Sequence, residues 1–447
     1  MHPGGASSIL QYAGKARQDA TEEYDAIHTP GTIESSLSLD KCLGELENQT
    51  DRPPTKRQEE CPTPDGNQPT GTPIQLIACL DDFELAAKKI LNQRSWIYYS
   101  SSAGSMESHA RNLADWSKVT FRPRVLRNVE HVNMGRTILG HPSNAPFFIA
   151  PCALGRLGHP DGEHNLVRGA AKYNIPYTVS NASSVSATDL AKSLRKESGG
   201  GSLFFQLYVK RDPAETRKSI EQAKSLGYGA LLVTVDTPVV GKRDASDRFA
   251  SQQALQANSS ELPVAGPLAS HGSGVPRGPY SSTLTWADLQ WIAQEWGNAG
   301  PLCLKGITTV EDARLALDMG YTSLYLSNHG GRQLDGAPSA LETLLEIRQY
   351  DPEILQLCEI LVDGGIRKGG DVLKALALGA NAVGLGRPFM FALILLDEIQ
   401  TDMRLLGITD LAQLGPSTIN TRELQGIITQ QLGNDMIGHK RFERAKI

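Results

Sequence analysis

The chain has 447 residues, a size that suits one large domain together with a smaller one. Its content of 40% hydrophobic and 21% charged residues is ordinary for a globular protein, and its net charge of -5 gives no indication of a nucleic-acid partner. No apolar run is long enough to span a membrane, and the N-terminus lacks the apolar core of a signal peptide.

Cysteine usage and the C-terminus bear on the cellular compartment. The six cysteines show neither a CxxC pair nor the spacing of metal ligands, so we interpret them as reduced thiols of an intracellular protein. The last three residues, Ala445, Lys446 and Ile447, resemble a conservative variant of the peroxisomal targeting tripeptide, although an ordinary polar tail explains them equally well. Cytoplasmic, peroxisomal and mitochondrial locations therefore all stay open.

Composition divides the chain into three zones. Residues 1–48 form a short polar segment with helical patterns. Residues 49–75 are rich in proline, glycine, threonine and charge and have few large apolar side chains, which is typical of an extended linker. Residues 76–447 have the pattern of a globular domain.

The globular zone repeats a unit in which an amphipathic segment follows a short apolar run. Because the runs are continuously apolar rather than alternating, they are typical of strands that are covered on both faces. Strands with intervening helices indicate parallel βαβ units, and eight of them predict a closed (β/α)8 barrel, the TIM-barrel fold. The predicted strands are 147–153, 177–180, 204–209, 231–236, 302–306, 323–327, 360–364 and 383–386. The predicted helices include 164–172, 187–195, 214–225, 310–319 and 340–350.

One connection breaks this rhythm. About 50 residues separate the fourth run from a helix that starts near Trp286, and residues 265–279 among them are rich in glycine, proline and serine. Such a long irregular connection is either an active-site lid or a disordered segment. Because it leaves the carboxyl end of a barrel strand, we predict a lid.

The sixth run leads into the most informative loop of the chain, residues 327–335. His329 and Arg332 lie three residues apart there, and Gly330 and Gly331 between them allow a sharp turn. Histidine accepts a proton near neutral pH, and arginine binds a carboxylate through two parallel hydrogen bonds. Alone, the pair also fits a capped turn with two surface side chains. A base beside an anion clamp suits chemistry at the carbon next to a carboxylate.

Polar or small residues also follow the other runs, and the carboxyl ends of barrel strands form one mouth. Taken singly, each residue has a structural explanation as a turn cap, a satisfied core amide or a solvated strand end. Their recurrence at all eight ends instead predicts one common site. The further residues at these ends are Ala153, Ser180, Gln206, Tyr208, Thr234, Asp236, Arg243, Lys305, Asp363, Gly364, Arg367, Gly386 and Arg387.

The loops after the seventh and eighth runs predict a phosphate site. Residues 363–367 and 386–388 are glycine-rich turns that carry Arg367 and Arg387 and lead into helical segments. In this barrel these two loops are the usual phosphate site, and backbone N–H groups at a helix start bind phosphate well beside an arginine. We therefore predict a ligand that carries phosphate.

Eight short segments of the globular zone occur in the order found in a known family. The most specific is SNHGGRQ at residues 327–333. The others are YYSS at 98–101, FRPR at 121–124, QLY at 206–208, TVDTP at 234–238, LKG at 304–306, DGG at 363–365 and GRP at 386–388. From about residue 76 to residue 431 the chain resembles the FMN-dependent L-2-hydroxy-acid oxidases and dehydrogenases, which include glycolate oxidase, lactate oxidase and flavocytochrome b2.

This resemblance implies that the chain oxidises a small 2-hydroxy acid to the 2-oxo acid and that the strand-end residues have assigned roles. His329 is then the catalytic base, and Asp236 stabilises its protonated form. Tyr208 contacts the reacting oxygen of the substrate. The substrate carboxylate is bound by Tyr98, Arg243 and Arg332.

For the cofactor, the resemblance implies FMN. Lys305 then lies beside the flavin ring and stabilises its reduced form. The residues that line the isoalloxazine are Ala153, Ser180, Gln206 and Thr234. The residues that hold the ribityl chain and phosphate are Asp363, Gly364, Arg367, Gly386 and Arg387.

The first zone resembles part of a second family. HPGG at residues 2–5, DAT at 19–21 and IH at 27–28 are similar to the heme-binding half of a cytochrome b5 domain, which precedes the flavin barrel in flavocytochrome b2. The resemblance implies His2 and His28 as axial ligands of heme b. Because 48 residues are few for burying a heme, two hypotheses stay open: the segment binds heme, or it is a relic that does not.

Ala182 departs from the family pattern. Several relatives carry tryptophan or leucine at this position, where the side chain lines the pocket for the substrate side chain. Because alanine leaves more room, we expect a lactate-like acid or a bulkier one rather than glycolate.

Other interpretations of the barrel remain: another FMN-dependent reaction such as an isomerase, or a catalytically silent flavin-binding protein. The presence of His329, Asp236 and Arg332 favours oxidation over both. We expect oxygen or a cytochrome-type protein to accept the electrons, and the resemblance implies a homo-oligomer, commonly a tetramer.

Overall fold

A computed structural model describes residues 76–256, 278–391 and 402–425. Its strands are β1 (Thr120–Phe121), β2 (Arg136–Ile138), β3 (His141–Ser143), β4 (Phe147–Ile149), β5 (Tyr177–Ser180), β6 (Leu203–Tyr208), β7 (Leu231–Thr234), β8 (Leu302–Ile307), β9 (Ser323–Leu326), β10 (Glu359–Val362), β11 (Ala382–Leu385) and β12 (Ile419–Asn420). Strands β4 to β11 pair in parallel, in chain order, and β11 pairs with β4, which closes a barrel of eight strands.

Helices alternate with these strands around the barrel. The described α-helices are α1 (Leu80–Ile90), α2 (Gln93–Ser100), α3 (Glu107–Lys118), α4 (His164–Tyr173), α5 (Ala187–Lys196), α6 (Pro213–Leu226), α7 (Asp244–Gln256), α8 (Asp288–Trp296), α9 (Val310–Asp318), α10 (Ala340–Tyr350), α11 (Ile354–Leu357), α12 (Gly369–Leu378), α13 (Arg387–Phe391) and α14 (Arg422–Gln425). Helices α1 to α3 precede the barrel, and α3 packs against the loop that follows β9.

The predicted (β/α)8 barrel is confirmed, and each predicted run overlaps one barrel strand. The run 177–180 agrees with β5 at both ends, and the predicted helix 340–350 agrees with α10. The first run, 147–153, is a strand only as far as Ile149. Pro151 explains the difference, because it has no N–H with which to continue the hydrogen-bonded ladder.

Apolar side chains fill the barrel on both faces of its strands. Phe147 and Ile149 belong to the large core beneath the helices, whereas Phe148 between them belongs to a smaller inner cluster. Within that cluster the rings of Phe148 and Tyr325 meet edge to face, 5.5 Å between centroids. A Cβ atom at Gly384 would lie 2.0 Å from the Tyr325 hydroxyl, so glycine is required there.

Several predictions fall on residues that the structure does not describe. The segment 1–48 with His2 and His28, the linker 49–75 and the C-terminal tripeptide all lie outside the described ranges, as does most of the predicted lid. Among the described residues, no helix is long and apolar enough to cross a bilayer.

Candidate active site

One cavity opens at the carboxyl ends of the barrel strands, and residues from all eight strand ends line it. It brings together most of the side chains predicted for the site. These are Tyr98, Ala153, Ser180, Gln206, Tyr208, Thr234, Arg243, Lys305, His329, Arg332, Asp363, Gly364, Arg367, Gly386 and Arg387. Asp236 lies behind His329, and Ala182 follows the lining residue Ser180 without itself lining the cavity.

His329 and Asp236 form a hydrogen-bonded pair at the centre of the cavity wall. Nδ1 of His329 lies 2.9 Å from Oδ1 of Asp236, which also accepts a hydrogen bond of 2.7 Å from the Thr237 hydroxyl. Because a carboxylate only accepts, Nδ1 carries the ring proton and Nε2 keeps its lone pair. The Tyr208 hydroxyl lies 3.1 Å from Nε2 and donates to it. The imidazole is therefore oriented as a base.

A sharp turn after β9 presents His329 to the cavity. His329, Gly330 and Gly331 all have left-handed backbone angles, with φ between 60° and 76°. The Asn328 side chain holds the turn, because its oxygen accepts from the Gly331 N–H at 3.0 Å and its amide pairs with that of Asn112 on α3 at 2.8 Å in both directions. A left-handed angle at a non-glycine residue is costly and persists where surrounding contacts enforce it.

Electrostatics keep the base neutral. Burial is the largest influence and lowers the pKa of His329 below its usual value; Lys305 and Arg243 act in the same direction, while Asp236 acts against them. Burial opposes ionisation of Asp236, but His329, Lys305 and Thr237 outweigh it and hold the pKa of Asp236 below its usual value. Around neutral pH, His329 is thus unprotonated at Nε2 beside an ionised carboxylate.

Replacing Asp236 with asparagine is expected to move the acid limb of the kcat/KM profile to lower pH. The carboxylate raises the pKa of His329, so its removal lowers that pKa further. Turnover is expected to fall by about 10²-fold, since the protonated imidazole loses its stabilising partner.

The measurement is a pH–rate profile of the Asp236→Asn protein beside wild type and Thr237→Val, which leaves the His329–Asp236 pair intact. An acid limb that stays in place or moves to higher pH in Asp236→Asn would contradict the assigned pairing. Thr237→Val is expected to show a smaller loss of turnover.

The guanidinium groups of Arg332 and Arg243 face the cavity, and neither forms a salt bridge with a carboxylate in the described part of the chain. Arg332 donates from Nη1 to the backbone oxygens of Tyr98, at 2.8 Å, and Ser101, at 3.0 Å, and its guanidinium lies 4.9 Å from the centre of the Tyr98 ring. Nε and Nη2 of Arg332 remain for a ligand. Nε of Arg243 is buried with no hydrogen-bond partner. Burial and the nearby Arg243 lower the pKa of Arg332 to about 9, so an anion here is favoured.

Polar side chains of three adjacent strands form a hydrogen-bonded row in the cavity wall. Oε1 of Gln206 accepts from the Ser180 hydroxyl and from the backbone N–H of Asn181, both at 3.2 Å, and its Nε2 donates to the Thr234 hydroxyl at 2.9 Å. This row is fixed by the parallel register of β5, β6 and β7. The row offers hydrogen-bond donors and acceptors to the edge of a heterocycle.

Lys305 is a buried cation whose nearest carboxylate is beyond hydrogen-bond reach. Its side chain is 5% exposed, and Nζ donates to the Ser327 hydroxyl at 2.9 Å but lies 3.9 Å from Oδ2 of Asp363. Oδ1 of Asp363 is buried with no hydrogen-bond partner. A ligand with an electron-rich ring edge and hydroxyl donors would satisfy both groups.

The two arginines predicted to bind phosphate also tie the barrel to the helices before it. Arg387 donates to the backbone oxygens of Tyr99, Ser101 and Gly330 at 2.9 to 3.1 Å, and two of its five N–H groups remain. Arg367 Nη1 lies 2.6 Å from Oε2 of Glu84 on α1. Phosphate at Arg367 would therefore share that guanidinium with a carboxylate.

Sequence patterns did not identify several residues of the site. His109 on α3 lines the cavity, and burial together with Arg387, Arg367 and Arg332 lowers its pKa to about 4. Gln333 fixes the loop after β7, donating to the backbone oxygens of Asp236 and Val239 and accepting from the Gly241 N–H. The SNHGGRQ segment includes Gln333 and was a usable signal, whereas only the packing of α3 places His109 here.

Comparison with known proteins assigns the class. A profile of the FMN-dependent dehydrogenase family matches residues 87–421. The L-lactate dehydrogenase (cytochrome) of Wickerhamomyces anomalus is 33% identical over 443 residues, covering 95% of this chain and 75% of that protein. The 2-hydroxyacid oxidase 2 of Mus musculus is 35% identical over 362 residues, covering 78% of this chain and 99% of that protein.

Solved structures agree with this class. The flavin-binding domain of baker's yeast flavocytochrome b2 superposes with a TM-score of 0.70 at 30% identity, covering 83% of this chain and 94% of that one. Mandelate oxidase with benzoyl-formic acid superposes with a TM-score of 0.63 at 33% identity, covering 77% of this chain and 98% of that one. The chain belongs to the FMN-dependent dehydrogenase family.

The residues of the cavity fit FMN. The unpartnered Asp363 oxygen suits a ribityl hydroxyl, and the Gln206 row with Lys305 suits the polar edge of the isoalloxazine. The free N–H groups of Arg387 suit the phosphate. The predicted family and cofactor are therefore confirmed.

Proposed function

We propose that this chain oxidises an L-2-hydroxy acid to the 2-oxo acid in this cavity. The observation that carries the proposal is the position of Nε2 of His329, an oriented base in a cavity that also exposes the unneutralised Arg332 and Arg243. A substrate that carries both a carboxylate and a neighbouring hydroxyl satisfies the two features together.

Binding follows from the guanidinium groups. The substrate carboxylate pairs with Nε and Nη2 of Arg332, the two nitrogens that the backbone leaves free, while Arg243 adds charge and Tyr98 its hydroxyl. This fixes the hydroxyl-bearing carbon between the arginines and the imidazole. The burial of Arg332 strengthens the ion pair, because little water competes for the anion.

Proton transfer follows from the histidine pair. Nε2 of His329 accepts the proton of the substrate hydroxyl, and the resulting positive charge is stabilised by Asp236 through Nδ1. The Tyr208 hydroxyl, which lies 3.1 Å from Nε2 in the structure, turns to the reacting oxygen when the substrate occupies that nitrogen. FMN, when bound, would supply the acceptor for the two electrons and for the hydrogen that leaves the hydroxyl-bearing carbon. Lys305 then places positive charge beside the ring that receives them.

Three finer statements belong to the same proposal. Oxygen or a cytochrome-type protein takes the electrons away, the chain assembles into a homo-oligomer, and its compartment is the cytoplasm, the peroxisome or the mitochondrion. The similarity to both an oxidase and a cytochrome-linked dehydrogenase supports either acceptor. Comparing the rates at which air and cytochrome c reoxidise the reduced protein distinguishes the two acceptors. Light scattering measures the oligomeric state.

The experiment that tests the function is direct detection of the product. Purified protein loaded with FMN is incubated with L- and D-2-hydroxy acids and an artificial acceptor, and the 2-oxo acid is quantified by mass spectrometry. Product from L acids alone supports the proposal. A bound flavin without 2-oxo acid from any of them would favour an isomerase or a silent flavin-binding protein instead.

Replacing Ala182 with tryptophan is expected to depress turnover of bulky acids such as mandelate by about tenfold more than turnover of glycolate. The Ala182 backbone N–H donates to the hydroxyl of the lining residue Ser180 at 3.1 Å, and we expect a large side chain at position 182 to narrow the space for the substrate's own side chain. Ala182→Ser, nearly the same size, is the control. Equal losses for both acids would refute the assignment of Ala182 to that pocket.

A further inference from the structure

Tyr280 contacts the catalytic residue Tyr208 without lining the cavity. Its ring stacks on that of Tyr208 with 4.3 Å between centroids and an angle of 25° between planes. Tyr208 in turn places its hydroxyl 3.1 Å from Nε2 of His329. Tyr280 is not among the residues that line the cavity. The Tyr208 ring therefore links Tyr280 to the base.

The backbone around Tyr280 is fixed on the end of β6. Tyr280 forms an antiparallel bridge with Lys210, and the N–H of Ser281 donates to the backbone oxygen of Val209 at 2.9 Å. The Lys210 ammonium lies 5.5 Å from the centre of the Tyr280 ring. Because Tyr208 lies two residues before Lys210 on the same strand face, it is the diagonal neighbour of Tyr280, within reach of an aromatic ring.

We propose that Tyr280 is a positioning residue, which holds the Tyr208 ring in the orientation that directs its hydroxyl at Nε2 of His329. The inference rests on the proposed function for the role of His329, and it adds a residue that the eight sequence segments do not contain. Tyr208 is the last residue of β6, and the ring of Tyr280 covers one face of its side chain.

The ring rather than the hydroxyl of Tyr280 performs this role. Burial raises the pKa of Tyr280 to about 12, with Tyr98 adding to the effect, so its hydroxyl stays neutral and is no proton carrier near pH 7. Stacking needs only the ring. Phenylalanine at position 280 should therefore preserve the role of the tyrosine, whereas alanine should abolish it.

The test compares Tyr280→Ala, Tyr280→Phe, Tyr208→Phe and the double variant Tyr208→Phe/Tyr280→Ala, each loaded with FMN. Tyr280→Ala is expected to lower kcat/KM roughly tenfold, the scale of one lost aromatic stack, and Tyr280→Phe to stay within about twofold of wild type. In the Tyr208→Phe background, which already lacks the hydroxyl, Tyr280→Ala is expected to have little further effect. An equal tenfold loss in both backgrounds would overturn the proposal.

A titration of His329 by nitrogen-15 NMR, assigned with a His329→Gln sample, gives a readout that a general loss of structure does not imitate. A hydroxyl that donates to the neutral ring favours that form, so the pKa of His329 is expected to rise in both Tyr280→Ala and Tyr208→Phe. The charged groups that influence His329, namely Asp236, Lys305 and Arg243, are unchanged in all variants. A pKa that rises in Tyr208→Phe but not in Tyr280→Ala would also overturn the proposal.

This titration separates the two hypotheses. A wild-type protein that oxidises no hydroxy acid would refute the proposed function, while the His329 titration would still decide the role of Tyr280. Melting temperature and bound FMN are measured for every variant. If Tyr280→Ala does not fold, Tyr280→Leu, which fills most of the volume without an aromatic face, replaces it and is expected to give the same pKa shift.

Discussion

Replacing His329 with glutamine is expected to lower turnover by about 10²- to 10⁴-fold, the range that a general base contributes. Glutamine approximates the size of the imidazole but cannot take up a proton. The loss should appear in kcat, because the arginines that we propose bind the carboxylate are separate from His329. The measurement is steady-state kinetics on protein whose FMN content is confirmed by its visible spectrum.

His109→Gln is the matched control for this change. His109 also lines the cavity, but burial and three neighbouring arginines keep it neutral and its pKa low, so the proposed chemistry gives it no proton to carry. Its replacement should cost far less turnover than that of His329. Near-normal kcat in His329→Gln with intact FMN would show that another group accepts the proton.

Replacing Arg332 with methionine is expected to lower kcat/KM by about 10²- to 10³-fold, because two charge-assisted hydrogen bonds to the substrate carboxylate are lost. Arg332→Lys should restore only part of this loss, since an ammonium cannot present the two parallel N–H groups of Nε and Nη2. The measurement compares each variant on a 2-hydroxy acid and on the corresponding 2-hydroxy amide, whose uncharged end forms no ion pair.

The decisive quantity is the ratio of kcat/KM for the acid to kcat/KM for the amide. Arg332 also fastens the backbone at Tyr98 and Ser101, so some loss of activity would follow from disorder of that segment alone. Disorder of that segment would lower kcat/KM for the acid and the amide alike. Loss of the ion pair would lower kcat/KM for the acid alone, so the ratio of the two values would fall. An unchanged preference for the acid in Arg332→Met would mean that Arg243 or another group binds the carboxylate.

The sequence predicted the barrel well because each strand is buried on both faces. Continuous apolar runs such as 177–180 and 231–236 identify such strands without any tertiary information, and the parallel arrangement then requires that the residues after them meet at one mouth. His329, Lys305 and Gln206 could therefore be assigned to one site. Strand ends were less certain, as Pro151 shows, because a single residue without an N–H ends the ladder.

Contacts made by segments outside the strands could not be predicted. The pairing of Arg367 with Glu84 depends on how α1 packs against the barrel, and the contact of His109 with the cavity depends on α3. Tyr280 belongs to no recognisable segment, and only its bridge to Lys210 places it on Tyr208. The pKa of His329 could not be predicted either. Burial lowers it and Asp236 raises it, and the balance of the two depends on the folded structure.

The most direct test of the central claim is an anaerobic visible spectrum of the FMN-loaded protein before and after addition of L-2-hydroxy acids, with the D enantiomers as controls. The predicted result is bleaching of the flavin band by at least one L acid, because substrate oxidation reduces the flavin without any external acceptor. In His329→Gln the same bleaching is expected to be slower by about 10²- to 10⁴-fold. A flavin band that no 2-hydroxy acid bleaches would contradict the proposed oxidation.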